Sequence, residues 1–199
     1  MDTFEAIRQR RALKHFDPTH RLTKSELDQL IDLGMQAPSS FNLQHWRLVN
    51  VTDPELRKQI QEAAWGQEQV TDASLLFVVV ANLKAWQNPA FYWRNATKLA
   101  QDALVPMIVP FYDGKEQLQR DEAMRSVGIF MQTMMLAAKA MGYDSCPMIG
   151  FDPIRVAELI HLPKDHVIGA LLVVGKGSKA AWPKAGFIEK STLLVENHF

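Results

Sequence analysis

The chain has a single cysteine, Cys146, among 199 residues. That excludes an internal disulfide framework and any metal site built from several thiolates. Charge of a dominant sign is also missing, with 22 Lys and Arg against 22 Asp and Glu. No global field favours nucleic acid or an anionic membrane, so any anion site is local. No apolar run approaches the ~20 residues that span a bilayer. The N-terminus is charged and helix-like, unlike a signal peptide, and the chain reads as cytoplasmic and soluble. Walker loop, nucleophile elbow and Gly-x-Gly-x-x-Gly are all missing, as is any histidine pair with the i, i+4 spacing of a helical zinc motif. A hydrolase or a Rossmann dehydrogenase therefore lacks its signature. Nor is there a repeat, a low-complexity tract or a linker, so one domain over residues 1–199 is expected.

What is present begins with apolar content of 47%, ample for a large core. Residues Thr3 to Arg11 read as a short helix with Phe4 and Ile7 on one face. It runs into a basic cluster, Arg8, Arg10, Arg11 and Lys14. Arg10 and Lys14 share a face if the helix persists that far, and stay within one turn of chain if it does not. A guanidinium fork beside an ammonium suits a phosphate ester or an electron-rich carbonyl, although such runs also occur as solvated faces.

Thr23-Lys-Ser-Glu26 is a capping box that opens a helix with Leu27, Leu30, Ile31 and Gly34 in register. That helix delivers the chain to Ala37–Trp46, which carries two hydroxyls, two carboxamides, an imidazole and an indole behind Pro38. Fixed hydroxyls and amides at this density can read the edge of a flat polar heterocycle, or form an ordinary polar loop.

Strands are expected at residues 47–52, 75–81 and 167–174, the last two apolar throughout and covered on both faces. Helices start at Asp53-Pro54, Asn88-Pro89 and Asp152-Pro153. Residues 88–113 are rich in aromatics, with Pro106 and Pro110 expected to break the helix, as in a pocket wall or a lid. Residues 121–141 carry an apolar seam that widens until little polar face remains, as in a buried or interfacial helix. Its five methionines read as core packing. Ser145 to Pro153 reads as a loop in which Gly150 allows close backbone approach to a ligand. The tail offers Lys176, Lys179 and Lys184 and a β-prone Thr192–Val195 able to add a strand to a sheet.

Three separated motifs line up with one family. Arg10-Arg11-Ala-Leu-Lys14-His-Phe16 resembles the N-terminal signature of the FMN-dependent nitroreductases. Pro38-Ser-Ser-Phe-Asn42-Leu-Gln44-His-Trp46 resembles their second signature and is the most specific of the three. Pro147-Met-Ile-Gly150-Phe-Asp-Pro153, with the helix and apolar strand that follow, is similar to the third.

The resemblance implies an α+β fold, a central, mainly antiparallel sheet wrapped by helices. It also implies a homodimer with two shared FMN sites and exchanged C-terminal segments. By resemblance, Arg10 with its neighbour Arg11 would serve the FMN phosphate, Lys184 would be a second phosphate cation, and Lys14 would meet the N1/O2 edge and ribityl chain. Pro38, Ser39, Ser40, Asn42 and, more weakly, Gln44 would come from the other subunit. Gln69 would stand near the pyrimidine edge, and Met148, Ile149 and Gly150 would pack along the ring, with backbone N–H groups near N5 and O4. No side chain is required as acid or nucleophile, because hydride passes through N5. The implied activity is ping-pong oxidation of NADH or NADPH with a nitroaromatic or quinone-like acceptor. The alternatives are a flavin enzyme of the same fold acting on an activated alkene or a biosynthetic substrate, and a non-enzymatic flavin-binding protein. Ala12, His45 and Gly186 depart from residues common in the family.

Overall fold

A computed structural model describes residues 1–199. Helix α1 (Thr3–Gln9) starts at Asp2, whose carboxylate accepts from the Glu5 N–H at 2.8 Å. Helix α2 (Lys24–Gly34) starts on the expected capping box, with both reciprocal bonds of Thr23 and Glu26 formed. Strand β1 (Trp46–Asn50) leads to α3 (Pro54–Ala63), the one-turn α4 (Gln69–Asp72) and β2 (Leu75–Asn82). Then come α5 (Pro89–Trp93), α6 (Lys98–Tyr112), α7 (Glu116–Ala140), β3 (Asp144–Met148), α8 (Pro153–Leu159), β4 (His166–Gly175) and α9 (Lys190–Leu193). Two of the three Asx-Pro starts cap as expected: Asp53 accepts from Leu56 N–H, and Asp152 from Ile154 and Arg155 N–H. Asn88 makes no such bond.

The strands form one sheet in the order β1-β2-β4-β3, antiparallel throughout. Helices cover both faces, which is why the inner strands β2 and β4 are apolar without alternation. Val78, Leu171 and Val173 face Ile60 of α3, Val70 of α4 and Val156 of α8. Phe77, Val79 and Leu172 face Leu30 of α2 and Val127, Phe130 and Met134 of α7. Trp46 stacks on Phe130 with ring centroids 5.0 Å apart and planes 14° from parallel. The register of β2 on β4 jumps at Val79/Val80, leaving Gly169 as the extra residue of a bulge. A Cβ there would lie 2.6 Å from Val127 Cγ1, so glycine is what lets α7 lie against the centre of the sheet.

Several sequence expectations are corrected. The first helix ends at Gln9, and Arg10 is already extended at ψ 127°, so Arg10 and Lys14 share no helical face. The first strand spans 46–50, not 47–52. The segment expected as a loop from Ser145 contains β3, an edge strand in which Pro147 is tolerated because one side of it needs no ladder bond. Helix α6 runs unbroken through Pro106 and Pro110. Both prolines are exposed and four apart, so the carbonyls they leave unbonded lie on the solvent side. The seam helix α7 begins five residues earlier than Asp121. The β-prone tail forms the short α9 instead of a strand, and residues 186–199 are exposed along their length. A strand there needs an edge to pair with, and within this chain the tail lies against neither edge of the sheet. No helix is long and apolar enough to cross a membrane.

Candidate functional site

After α1 the chain becomes a strap across one end of the sheet. Ala12 bridges Ser145 in parallel and Phe16 bridges Gly177 in antiparallel fashion. Leu13 N–H donates to Ser145 O at 3.0 Å, Asp17 N–H to Lys176 O at 2.8 Å, and Ser178 N–H to His15 O at 3.0 Å. The strap is pinned by Leu13 and Phe16, buried in the α3/α4/α8 layer, while Ala12 and Lys14 face outward. Two contacts then tie the strap and the end of α1 to the C-terminal segment. The Arg11 guanidinium donates to the Trp182 carbonyl, and Lys184 Nζ reaches Arg8 O at 3.5 Å.

Between them lies a cavity of about 570 Å³. Its wall contains Arg11, Lys14 and Lys184 as cations, Glu68 as the one carboxylate, and Gln69. Arg10 does not line it, but stays close to Lys14: burial pushes the Cys146 thiol pKa up, and the charges of Lys14 and Arg10 both oppose that rise. The buried Gln69 donates from Nε2 to Gln67 Oε1 at 2.9 Å, and Gln67 Nε2 donates to Gly150 O at 2.7 Å. A two-residue amide relay thus joins the cavity wall to the turn after β3. At that turn Met148 points into the core and Ile149 is 85% exposed. A Cβ on Gly150 would lie 3.2 Å from the Trp65 ring. Trp65 is itself exposed and held at φ 57°, a strained conformation for an aromatic residue.

The second predicted group sits elsewhere. Trp46 pairs with Ala81 at the far end of the sheet on edge strand β1, whereas the strap crosses the near end beside edge strand β3. Within one chain, Pro38–Gln44 and Arg10–Lys14 are therefore diagonally opposed. Phe41, Asn42 and Gln44 all have φ between 43° and 54°, a run of left-handed residues that needs outside support. That support is a set of fixed bonds. Ser39 Oγ accepts from Gln44 N–H at 2.9 Å, and Tyr112 OH donates to Ser40 Oγ at 2.9 Å. Asn42 Nδ2 donates to Tyr92 O, and Trp93 Nε1 donates to Phe41 O. The aromatic segment 88–113 is thus the scaffold of this loop. Pro38 and Asn42 stay exposed. His45 is 1% exposed, its Nδ1 is 3.1 Å from Ser126 Oγ, and burial, reinforced by the Arg47 charge, lowers its pKa to about 4.

Sequence reading missed Gln67, Trp65 and Trp182. Trp65-Gly66 at the end of an amphipathic helix carried a signal, since Gly66 at φ 74° is a C-terminal turn that puts the preceding side chain in solvent. Gln67 and Trp182 carried none.

An antiparallel sheet between two helical layers, with a cationic cavity between the strap and residues 180–185, defines an α+β fold. Residues 7–176 match the nitroreductase family, and the chain belongs to that family. Protein DrgA of Synechocystis sp. is 57% identical over 182 residues, 91% of this chain and 87% of that protein. The NADH dehydrogenase of Thermus thermophilus is 31% identical over 195 residues, 92% of this chain and 90% of the other. A crystal structure from Exiguobacterium sibiricum, determined in complex with FMN, superposes with TM-score 0.86 at 27% identity, covering 94% and 93% of the two chains.

Proposed function

We propose that this nitroreductase-family protein is a cytoplasmic, FMN-dependent NAD(P)H oxidoreductase built on a single domain, which reduces nitroaromatic or quinone-like acceptors in alternate half-reactions. The observation that carries the reading is the cavity at the strap, where Arg11, Lys14, Gln69 and Lys184 converge from three parts of the chain. The donor set fits the cofactor. A phosphate near minus two needs more than one cation, and Lys184 with Arg10 or Arg11 meets that need. Lys14 is free of any ion pair and stands as the donor to an electron-rich heterocycle edge. Gln69 is fixed by Gln67 and presents an amide to the same edge. Glycine at position 150 leaves the backbone N–H groups of Ile149 and Gly150 approachable, since residue 150 carries no Cβ. When bound, FMN supplies two-electron hydride acceptance and donation at N5. The protein's part is to hold the ring, position the nicotinamide and acceptor in turn, and exclude side reactions.

The diagonal separation of the two motifs supports a homodimer, with Pro38, Ser39, Ser40, Asn42 and Gln44 of one chain facing Lys14 of a second. The exposed apolar residues Phe187, Ile188, Leu193 and Leu194 support it too, since a free tail would leave this patch in water.

Replacement of Lys14 by Ala removes a charge-assisted donor and should weaken FMN retention by about tenfold or more. The measurement is flavin absorbance per protein after gel filtration, together with anaerobic loss of that absorbance on adding NADH or NADPH. Unchanged flavin content in the variant would refute the assignment of Lys14. Wild-type protein that FMN cannot reconstitute would refute the flavin reading itself.

A further inference from the structure

Away from the Lys14 cavity, a depression of about 670 Å³ opens where β1 ends and α3 begins. Its charged residues are Arg21, Arg57 and Lys58, with no Asp or Glu in the lining. None of the three forms an ion pair. Of the carboxylates near it in sequence, Asp53 caps α3 and Asp72 accepts from Thr71 Oγ1 at 3.3 Å, while Glu55 is exposed and does not line the depression. Three cations gathered without a counter-charge repel one another, and such a focus concentrates anions.

Arg21 is exposed and its Nη1 donates to Pro18 O at 2.6 Å and His20 O at 2.8 Å, while Arg57 is the more buried member. Arg57 Nη1 donates to Thr71 O at 3.3 Å and Ala73 O at 2.8 Å, and its Nη2 to Ser74 O at 3.2 Å. Its Nε is buried and has no partner. Burial and the Arg21 charge both push its pKa down, so the surroundings are unfavourable for a cation as they stand. The hydroxyls of Thr52, Thr71 and Ser74 line the same depression, with Leu22, Leu27 and Leu75 as an apolar side. Cations, hydroxyls and leucines lining one depression suit a ligand with one strongly anionic end and one apolar end.

We propose that this depression binds a small organic phosphate monoester, with Arg21, Arg57 and Lys58 around the phosphate and Leu22, Leu27 and Leu75 against its ring. The site is separate from the Lys14 cavity: Gln69 lines that one and Thr71 this one, two residues apart on α4. It does not depend on the flavin reading.

The probe is adenosine 5′-monophosphate, titrated by calorimetry into the full-length protein, as purified and saturated with FMN, at physiological salt. Binding is expected with Kd below about 1 mM, and the doubly charge-reversed R21E/K58E protein should bind at least about tenfold more weakly. Arg57 is partly buried and holds three backbone carbonyls, so it is left intact and the two exposed cations are changed instead. Adenosine binding as tightly as its phosphate would overturn the proposal. So would unchanged affinity in R21E/K58E, or no binding at all. Displacement of the probe by FMN would place it in the Lys14 cavity and would equally overturn it. Binding that emerges only after deletion of residues 187–199 would assign the depression to a C-terminal tail, again against the proposal. A protein that failed to take up FMN would still give this titration, so the two readings fail separately.

Discussion

His45 makes the folded protein sensitive to acid in a defined window. Its imidazole is 1% exposed, with Nδ1 on Ser126 Oγ and Nε2 buried without a partner. Protonation would place a charge and a second, unsatisfied donor in the interior. Burial, and then the Arg47 charge, lower its pKa from 6.5 to about 4. The sign follows from proton counting. Between those values the unfolded chain binds the proton and the folded chain does not, so stability falls as pH falls. Above 6.5 both states are neutral and the residue adds no pH dependence. The loss begins below 6.5 and is complete once pH drops through about 4. The full penalty is about 3 kcal/mol, of which about 2 kcal/mol has appeared by about pH 5. Exposed carboxylates with lowered pKa values, Glu26 among them, still titrate little at that pH. Urea unfolding followed by tryptophan fluorescence, at fixed protein and FMN concentrations, measures the drop between about pH 7.5 and about pH 5. His45→Asn keeps a polar partner for Ser126 and removes the titration. Wild type should lose about 2 kcal/mol more than this variant over the same interval. Equal losses would refute the reasoning, as would a His45 imidazole resonance titrating near 6.5 in the folded protein.

Two further outcomes rest on geometry alone. Gly169→Ala drives a methyl to 2.6 Å from Val127 Cγ1 and 3.4 Å from Val79 O, so about 1–3 kcal/mol of overpacking should appear as a lower thermal midpoint; an unchanged midpoint would mean that α7 moves freely over the sheet. Tyr143→Phe removes the 2.6 Å bond to Glu26 Oε1, the largest reason that Glu26 titrates at about 2 and Tyr143 at about 12. The Glu26 carboxylate, followed by carbon NMR, should then titrate closer to its ordinary 4.5, and an unmoved titration would show that the Thr23 cap holds it alone.

Much of the architecture was legible where one local signal sufficed. The capping box at Thr23 and the apolar runs of β2 and β4 each point one way, and the folded chain agrees with them. β3 was hidden because Pro147 reads as a breaker, and only its place at the sheet edge makes proline harmless there. The continuity of α6 was hidden for a related reason, since what two prolines do to a helix depends on which side faces water. The tail misled in the other direction: Thr192–Val195 has strand-forming residues, but pairing is a property of two segments, and in this chain the tail pairs with neither edge of the sheet. At the candidate site, Arg11, Lys14, Gln69 and Lys184 were named from sequence and do meet at one cavity. The link from Gln69 to Gly150 was invisible, because Gln67 works only through distances between parts of the chain 83 residues apart.

The Arg11–Trp182 contact joins residues 171 positions apart. Contacts of that span are among the slowest to form, because nearly the whole chain must be ordered before its ends meet. The cavity is therefore completed late. A chain arrested before residue 182 has both helical layers and all four strands in hand, but lacks the clasp that closes over Lys14. Occupancy of the cavity then reports on something stability assays cannot, namely whether the segment around Trp182 has docked on the strap. A ligand that binds only the closed clasp favours chains in which Trp182 is docked over those in which it is not, and so holds the strap shut.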